Sequence, residues 1–231
     1  MPTRNRGPQP QDADLFSDRY LPALRAATDD LCWLLDRGYG SDSALHLVGN
    51  RYRLNKRQRQ AVGRCAAAAT DVEQRQSKRV ELADLAGKPV AIDGFNLLIL
   101  LETAAGGGVV LGARDGALRD LASVHGTYKH VRQTVPALLR VGEALRQCSA
   151  VTWYFDAPVS NSGRLKTVLR ELAEANDFGW ATELVVNPDR TLIDLPHNII
   201  RISSDRWILD EVAVWCNLGS ELVPAERVVW L

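Results

Sequence analysis

The sequence predicts an α/β fold: a three-layer α/β/α domain on a mainly parallel sheet, preceded by a small all-α basic region. Three observations predict it. From Pro89 onward, short β-type runs ("VAID", "AVTWYFD", "ATELVV", "NIIRIS") alternate with helical stretches, the pattern of βαβ units whose sheet is covered on both faces. Ahead of that point, apolar residues recur at helical spacing. Charge divides at the same place: residues 1–90 hold 15 Lys and Arg against 11 Asp and Glu, and residues 91–231 hold 13 against 17, so a net of zero hides halves of +4 and −4.

The elements follow in order. Residues 1–14, rich in proline, are expected to form a flexible tail. Leu21, Leu24, Ala27, Leu31, Leu34 and Leu35 mark an amphipathic helix that Gly38 and Gly40 terminate. A second helix is expected over 41–48, then a turn at Asn50, then a helix from Asn55 with Lys56, Arg57, Arg59, Gln60 and Arg64 on adjacent faces. The stretch "VEQRQSKRVELADLAGKP" reads as a polar connector ending in a Gly-Lys-Pro break, which assigns 15–87 to the helical basic region and 88–231 to the α/β domain. Within that domain helices are expected at 96–104, 117–125, 131–147, 162–176 and 206–217, and "ELV" or "RVVWL" offers a further edge strand.

Composition excludes several classes. With 231 residues, 46% hydrophobic, the chain can bury a sizeable core and is not disordered. No apolar run approaches the ~20 residues of a membrane span, and "MPTRNRGPQPQDAD" lacks the apolar centre of a signal peptide, so a cytoplasmic protein with no membrane partner is expected. Cys32, Cys65, Cys148 and Cys216 show no CxxC spacing and no cluster with His46, His125, His130 or His197, so they are expected to be reduced thiols, mostly buried. The six tryptophans are expected in the core, Trp153 above all.

Three β-type runs end in an acid: "VAID" in Asp93, "TWYFD" in Asp156 and "IIRISSD" in Asp205, two residues beyond its run. In an open parallel sheet the carboxyl ends of all strands open on one edge, so acids from separate strands can converge there. Clustered carboxylates repel unless a cation neutralises them, and oxygen ligands favour Mg²⁺ or Mn²⁺. Each acid also suits the N-cap of the helix that follows, Asp205 most of all. Asn96 can hold a metal-bound water or a phosphate oxygen, or cap its helix. A fourth acid is expected at Asp120 or Asp115, ahead of Asp210.

Other segments point to phosphate. In "APVSNSGRLK", Ser160, Asn161 and Ser162 precede a helix with Arg164 and Lys166 in its opening turn, where cations are unfavourable unless an anion offsets them. Arg51, Arg53, Lys56, Arg57 and Arg59 form a basic run suited to a nucleic-acid backbone, with Tyr52 available to stack on a base. The same run would also serve as a solvated face.

"VAIDGFNLLI", "VTWYFDAPVSNSG" and "RISSDRWILD" resemble, in order and context, the acidic motifs of PIN-like nucleases, especially the NYN branch. The whole chain is also similar to an uncharacterised prokaryotic family that pairs a basic helical N-terminal region with a PIN-like domain. The resemblance implies a metal-dependent nuclease, an endoribonuclease hydrolysing phosphodiester bonds with metal-activated water. It implies Asp93, Asp156 and Asp205 as ligands, with Asn96 assisting and Ser204 within the Ser-Ser-Asp motif. The expected partner is RNA, and a homodimer is compatible with it. The chain departs from many PIN nucleases in lacking a glutamate on the helix before the second acidic strand and an aspartate two residues after Asp205. The alternative is a catalytically weak or inactive PIN-like module that binds RNA or a ribonucleoprotein. A haloacid-dehalogenase phosphatase is disfavoured, because Phe95 stands where that chemistry needs its second Asp, and no GxGxxG supports a nucleotide-binding oxidoreductase.

Overall fold

The computed structural model describes residues 4–122 and 126–231. The helical region comprises α1 (Asp12–Leu15), α2 (Leu21–Leu35), α3 (Ser41–Arg51), α4 (Lys56–Cys65) and α5 (Ala69–Ser77). Beyond it come β1 (Arg79–Val80), a 3₁₀ turn (Leu82–Leu85), β2 (Pro89–Asp93), α6 (Gly94–Gly106), β3 (Val110–Gly112), β4 (Leu118–Asp120) and α7 (Thr134–Ala144). The rest is β5 (Ala150–Asp156), α8 (Ser162–Asn176), β6 (Trp180–Val185), α9 (Pro188–Asp194), β7 (Ile200–Ile202), α10 (Arg206–Glu211), β8 (Trp215–Cys216), α11 (Leu218–Leu222) and β9 (Val228–Trp230).

Local chemistry sets the helix ends. Past α2, Gly38 at φ +76° lets Tyr39 donate its N–H to the Leu34 carbonyl, closing the helix with left-handed backbone. At the start of α4, the Asn55 side chain accepts the Gln58 N–H while the Gln58 side chain accepts the Asn55 N–H, a reciprocal capping box. The apolar stripe of α2 then packs with Val48, Ala61 and Val62.

Six parallel strands form the main sheet in the order β1-β8-β7-β2-β5-β6. The chain steps outward from β2 to β5 and β6, then returns to the other side of β2 to lay down β7 and β8, so strand order reverses between β2 and β7. On one face, Ile92, Trp153 and Phe155 pack against Leu98, Leu138 and Leu169 of α6, α7 and α8. On the other, Ala91 and Trp215 meet Leu192 of α9 and Ile208 and Leu209 of α10. The three layers agree with the fold expected from the sequence. A second sheet, β4-β3-β9, packs Leu111, Ala113 and Leu231 into the core of the helical region. The two regions therefore share a core.

Several expected elements are corrected. Residues 4–14 are docked, not loose: Arg6 pairs at 2.6 Å with Glu102, a fully buried carboxylate that also accepts the Tyr128 and Thr134 hydroxyls at 2.5 Å. The polar connector forms α5 and then β1, already part of the main sheet, so the helical region ends near Lys78 instead of Gly87. The helix expected over 117–125 is absent from 117–122, and residues 123–125 lie outside the described chain. Gly116, at φ +82°, turns the chain back so that Ala113 N–H reaches the Ala117 carbonyl and β4 pairs antiparallel with β3. Helix α10 stops at Glu211, because Val212 is extended, and Trp215–Cys216 add a strand. The C-terminal "VVW" joins the second sheet. Trp153 and Trp215 are core, whereas Trp33, Trp207 and Trp230 are exposed. The four cysteines are free, Cys65 and Cys216 buried. Among the described residues no helix is long and apolar enough to cross a membrane.

Candidate active site

Asp93 ends β2, Ser203-Ser204-Asp205 follow β7, and Asp156 ends β5 on the other side of β2. These are neighbouring carboxyl ends at the reversal of strand order, where the crevice of an open parallel sheet lies. Glycine at 94 is a steric requirement: a Cβ there would collide with the Phe155 ring of β5, so "DGF" brings α6 hard against the sheet.

Short bonds tie the junctions together. Asp93 Oδ1 accepts the Asn96 N–H at 3.4 Å and its Oδ2 accepts the Ser203 hydroxyl at 2.8 Å, while Ser203 Oγ accepts the Asp205 N–H at 3.0 Å. Asn96 Oδ1 accepts both the N–H and the hydroxyl of Ser204 at 2.9 Å. That oxygen is committed to the β7–α10 loop, so Asn96 positions the site instead of offering its carbonyl to a water. Asp205 Oδ1 caps α10, accepting the N–H groups of Trp207 at 2.9 Å and Ile208 at 3.4 Å. The capping reading of Asp205 is thus observed, and Oδ2 takes neither bond.

A fourth acid near these strand ends is Asp189, on the first turn of α9 just past β6. Burial pushes the Asp93 carboxyl up to about 7, the Ser203 hydroxyl opposing and the charges of Asp189 and Asp205 adding to the rise. Asp189 is raised too, by burial first and then by Asp205 and Asp156. The four acids are therefore electrostatic neighbours, and among the described residues none of them forms an ion pair. Asp156 Oδ1 is buried with no hydrogen-bond partner among the described residues, a costly placement for a carboxylate oxygen. As placed, no three His, Cys, Asp or Glu side chains among the described residues are gathered closely enough to hold a metal ion.

Other sequence candidates fall elsewhere. Asp115 is locked between Arg75 at 2.8 Å and Arg119 at 2.7 Å. Burial works to raise its pKa, and the Arg119 and Arg75 guanidiniums overcome that, holding it below the ordinary carboxylate range. It is an ion-pair hub with its oxygens occupied. Asp120 is buried on β4 with its Oδ1 accepting the Ala122 N–H at 2.7 Å; burial raises its pKa against the pull of Arg64 and Arg6, so its main charged neighbours are cations and not the site acids. Asp210 pairs with Arg75.

The phosphate loop is largely structural. The buried Ser162 hydroxyl serves the carbonyls of Asp156 and Val159, both at 2.7 Å. Asn161, at φ +73°, donates its side chain to the Tyr128 carbonyl, and the Ser160 backbone bridges to Gly126 and Tyr128. Arg164 and Lys166 are exposed, and Lys166 lines a groove between α8 and β6. The basic run is mostly spent as well. Arg57 grips the buried Asp12, Arg59 bonds the Leu54 carbonyl and Asn50, Arg51 pairs with Asp30, and the Tyr52 hydroxyl donates to Asp30 at 2.9 Å. Arg53 and Lys56 remain as exposed cations.

Sequence reasoning missed Asp189 although it obeys the rule that found the others, an acid beyond a strand end. Asn187 and Pro188 intervene, the first capping α9 through the Arg190 N–H.

A family model described as a domain of unknown function (DUF5616) matches residues 82–221, which covers the main sheet from β2 to β8 and all four acids. A second, described as a protein of unknown function (DUF434), matches residues 23–78, the helical region. An uncharacterized protein of Methanocaldococcus jannaschii is 34% identical over 171 residues, 74% of this chain and 82% of that protein. No solved structure matches the chain. The match over the larger part of the sequence makes this chain a member of the DUF5616 family.

Proposed function

We propose that the protein is a divalent-metal-dependent phosphodiesterase of the PIN-like kind, acting as an endoribonuclease. The observation that carries this reading is that Asp93, Asp156, Asp189 and Asp205 all stand just beyond neighbouring strand ends around the reversal of strand order, with Asp156 Oδ1 buried and unpartnered among the described residues. Mutual repulsion and a partnerless buried oxygen are both relieved by a cation, and a donor set of carboxylates alone suits Mg²⁺ or Mn²⁺. Asp156, Asp189, Asp93 and Asp205 Oδ2 would hold it, the acids closing up around the ion. Bound there, the ion would supply Lewis-acid charge and an acidified water. Ser203 orients Asp93, and Asn96 fixes the loop carrying Asp205. Trp207 is 44% exposed on the turn that Asp205 caps, a face on which a base can stack, which favours RNA over a small phosphate ester. Arg164, exposed on the first turn of α8 beyond Asp156, is the cation best placed for a backbone phosphate. Four free thiols accord with a cytoplasmic setting.

The test is cleavage of structured and single-stranded RNA with Mn²⁺, comparing the protein with Asp156→Asn and Asp189→Asn. Each variant is expected to fold and to lose about 100-fold or more in rate, the scale of removing one preorganised electrostatic group. Undiminished cleavage by either variant rejects its assignment. A second reading, a non-cleaving RNA-binding module, is favoured by the lack of a closed metal-holding group among the described residues. Salt-sensitive RNA binding that persists in excess chelator, with no product on any substrate, would establish it.

A further inference from the structure

We propose that the open side of the main sheet, β6 with α8 packed over it, is the contact face of a homodimer in which a second copy of this chain docks about a two-fold axis. Strand β6 ends the six-stranded sheet, and among the described residues no strand pairs with its outer edge. Exposed edges are ordinarily blunted by proline, bulges or several charges. This one, "WATELV", has a single charge and no proline, and Val186 just beyond it is 81% exposed. Beside the edge runs a groove of about 570 Å³ whose floor includes Phe178 and Trp180 and whose wall is one stripe of α8.

That stripe identifies the occupant. It carries Lys166 in its first half, Arg170 at its middle, and Glu174, then Asp177, at its end. A nucleic acid would call for one sign throughout, and a strand-adding peptide would make no use of the pattern. A copy of α8 running antiparallel meets it with every sign reversed: Arg170 faces the second copy's Glu174, and Lys166 its Asp177. Such self-complementarity is what a two-fold interface requires. Gly163, Thr167 and Ala173 on the same stripe are small and allow close approach.

The helix and the strand agree on where the axis passes. The charge pattern is symmetric about Leu172, which at about 1.5 Å per residue stands about 6 Å back from the end of α8. Helix α8 runs opposite to β6 and joins it through residues 177–179, so two strand steps of about 3.3 Å from Trp180 reach the same height at Thr182. Thr182 and Glu183 are the centre of the six-residue strand. One axis can therefore pair the two helices and extend the sheet through both copies, leaving the two carboxylate crevices at opposite ends. The dimer does not depend on the nuclease reading.

Sedimentation velocity on the whole chain tests it. Arg170 and Glu174 side chains are 69% and 72% exposed, 3.9 Å apart within the helix, so reversing either leaves the fold intact, as thermal melting will check. A dimer is expected for the unaltered chain, and Arg170→Glu or Glu174→Arg alone is expected to weaken it by about tenfold or more through like-charge contact. Mixing the two variants restores the dimer: the acid introduced at position 170 of one copy then faces the base introduced at position 174 of the other, and the native Glu174 of the first copy still faces the native Arg170 of the second. A chain that stays monomeric, a dimer indifferent to both reversals, or variants that fail to associate on mixing would each overturn the proposal.

Discussion

At the scale of single residues, Asp93 sets a pH dependence. Its carboxyl titrates at about 7 in the fold, raised by burial and by Asp189 and Asp205, against 3.8 for an ordinary aspartate. The folded state thus binds a proton that the unfolded chain has released between about pH 4 and 7, so stability attributable to Asp93 falls as pH rises through that window and is flat above it. The shift corresponds to roughly 4 kcal/mol at about 1.4 kcal/mol per pKa unit. Asp93→Asn is therefore expected to melt higher than the parent at pH 8, with the gap closing toward pH 4; a gap that is constant with pH would contradict the burial argument. Added Mn²⁺ should raise the melting temperature of the parent at pH 8 and leave Asp93→Asn nearly unmoved. Three of the four acids were legible because each sits at or just past a β-type run. The pairing of the basic side chains was not legible for a physical reason: charge on a helix face is visible in sequence, whereas its partner is not. Arg57 points to Asp12, 45 positions away.

At the scale of elements, Gly94 decides how closely α6 approaches β5. Gly94→Ala would drive a methyl into the Phe155 ring, which is packed at 5.9 Å on Trp153 and at 5.0 Å on Phe95 and has little room to yield. A loss of about 1–3 kcal/mol in urea unfolding is expected, and a neutral result would mean that α6 can slide. Elements with a long apolar period were readable: the helix expected over 162–176 matches α8, and the leucine stripe of α2 matches its buried face. Strands β1 and β8 are two residues each, too short for any alternation to register, and they exist because neighbours demand them. Trp215 pairs with Arg201 on one side and Arg79 on the other, and its indole N–H donates to the Arg75 carbonyl at 2.7 Å.

Across the whole molecule, Arg75 joins the two regions that the family models treat separately. From α5 it reaches Asp115 beyond β3 and Asp210 on α10, and Asp115 in turn holds Arg119, which donates to the Ser204 carbonyl at 3.0 Å. Arg75→Met leaves the buried Asp115 with half its compensation and is expected to cost about 3–5 kcal/mol, lowering the denaturation midpoint of helices and sheet in one transition. Two separate transitions would show that the halves unfold independently. Arg201 has a comparable reach. Fully buried in β7, it donates to the carbonyls of Leu192, Pro196 and Ile199 and also bonds those of Ile193 and Leu195, saturating the end of α9 and the loop behind it. A stretch that ordinary backbone pairing would leave loose becomes a rigid bracket, and the acid it carries is Asp189. The entropy of fixing the end of α9 is thus settled when the protein folds, so any closing of the acids has to come from the loops on the far side of the crevice or from side-chain rotation.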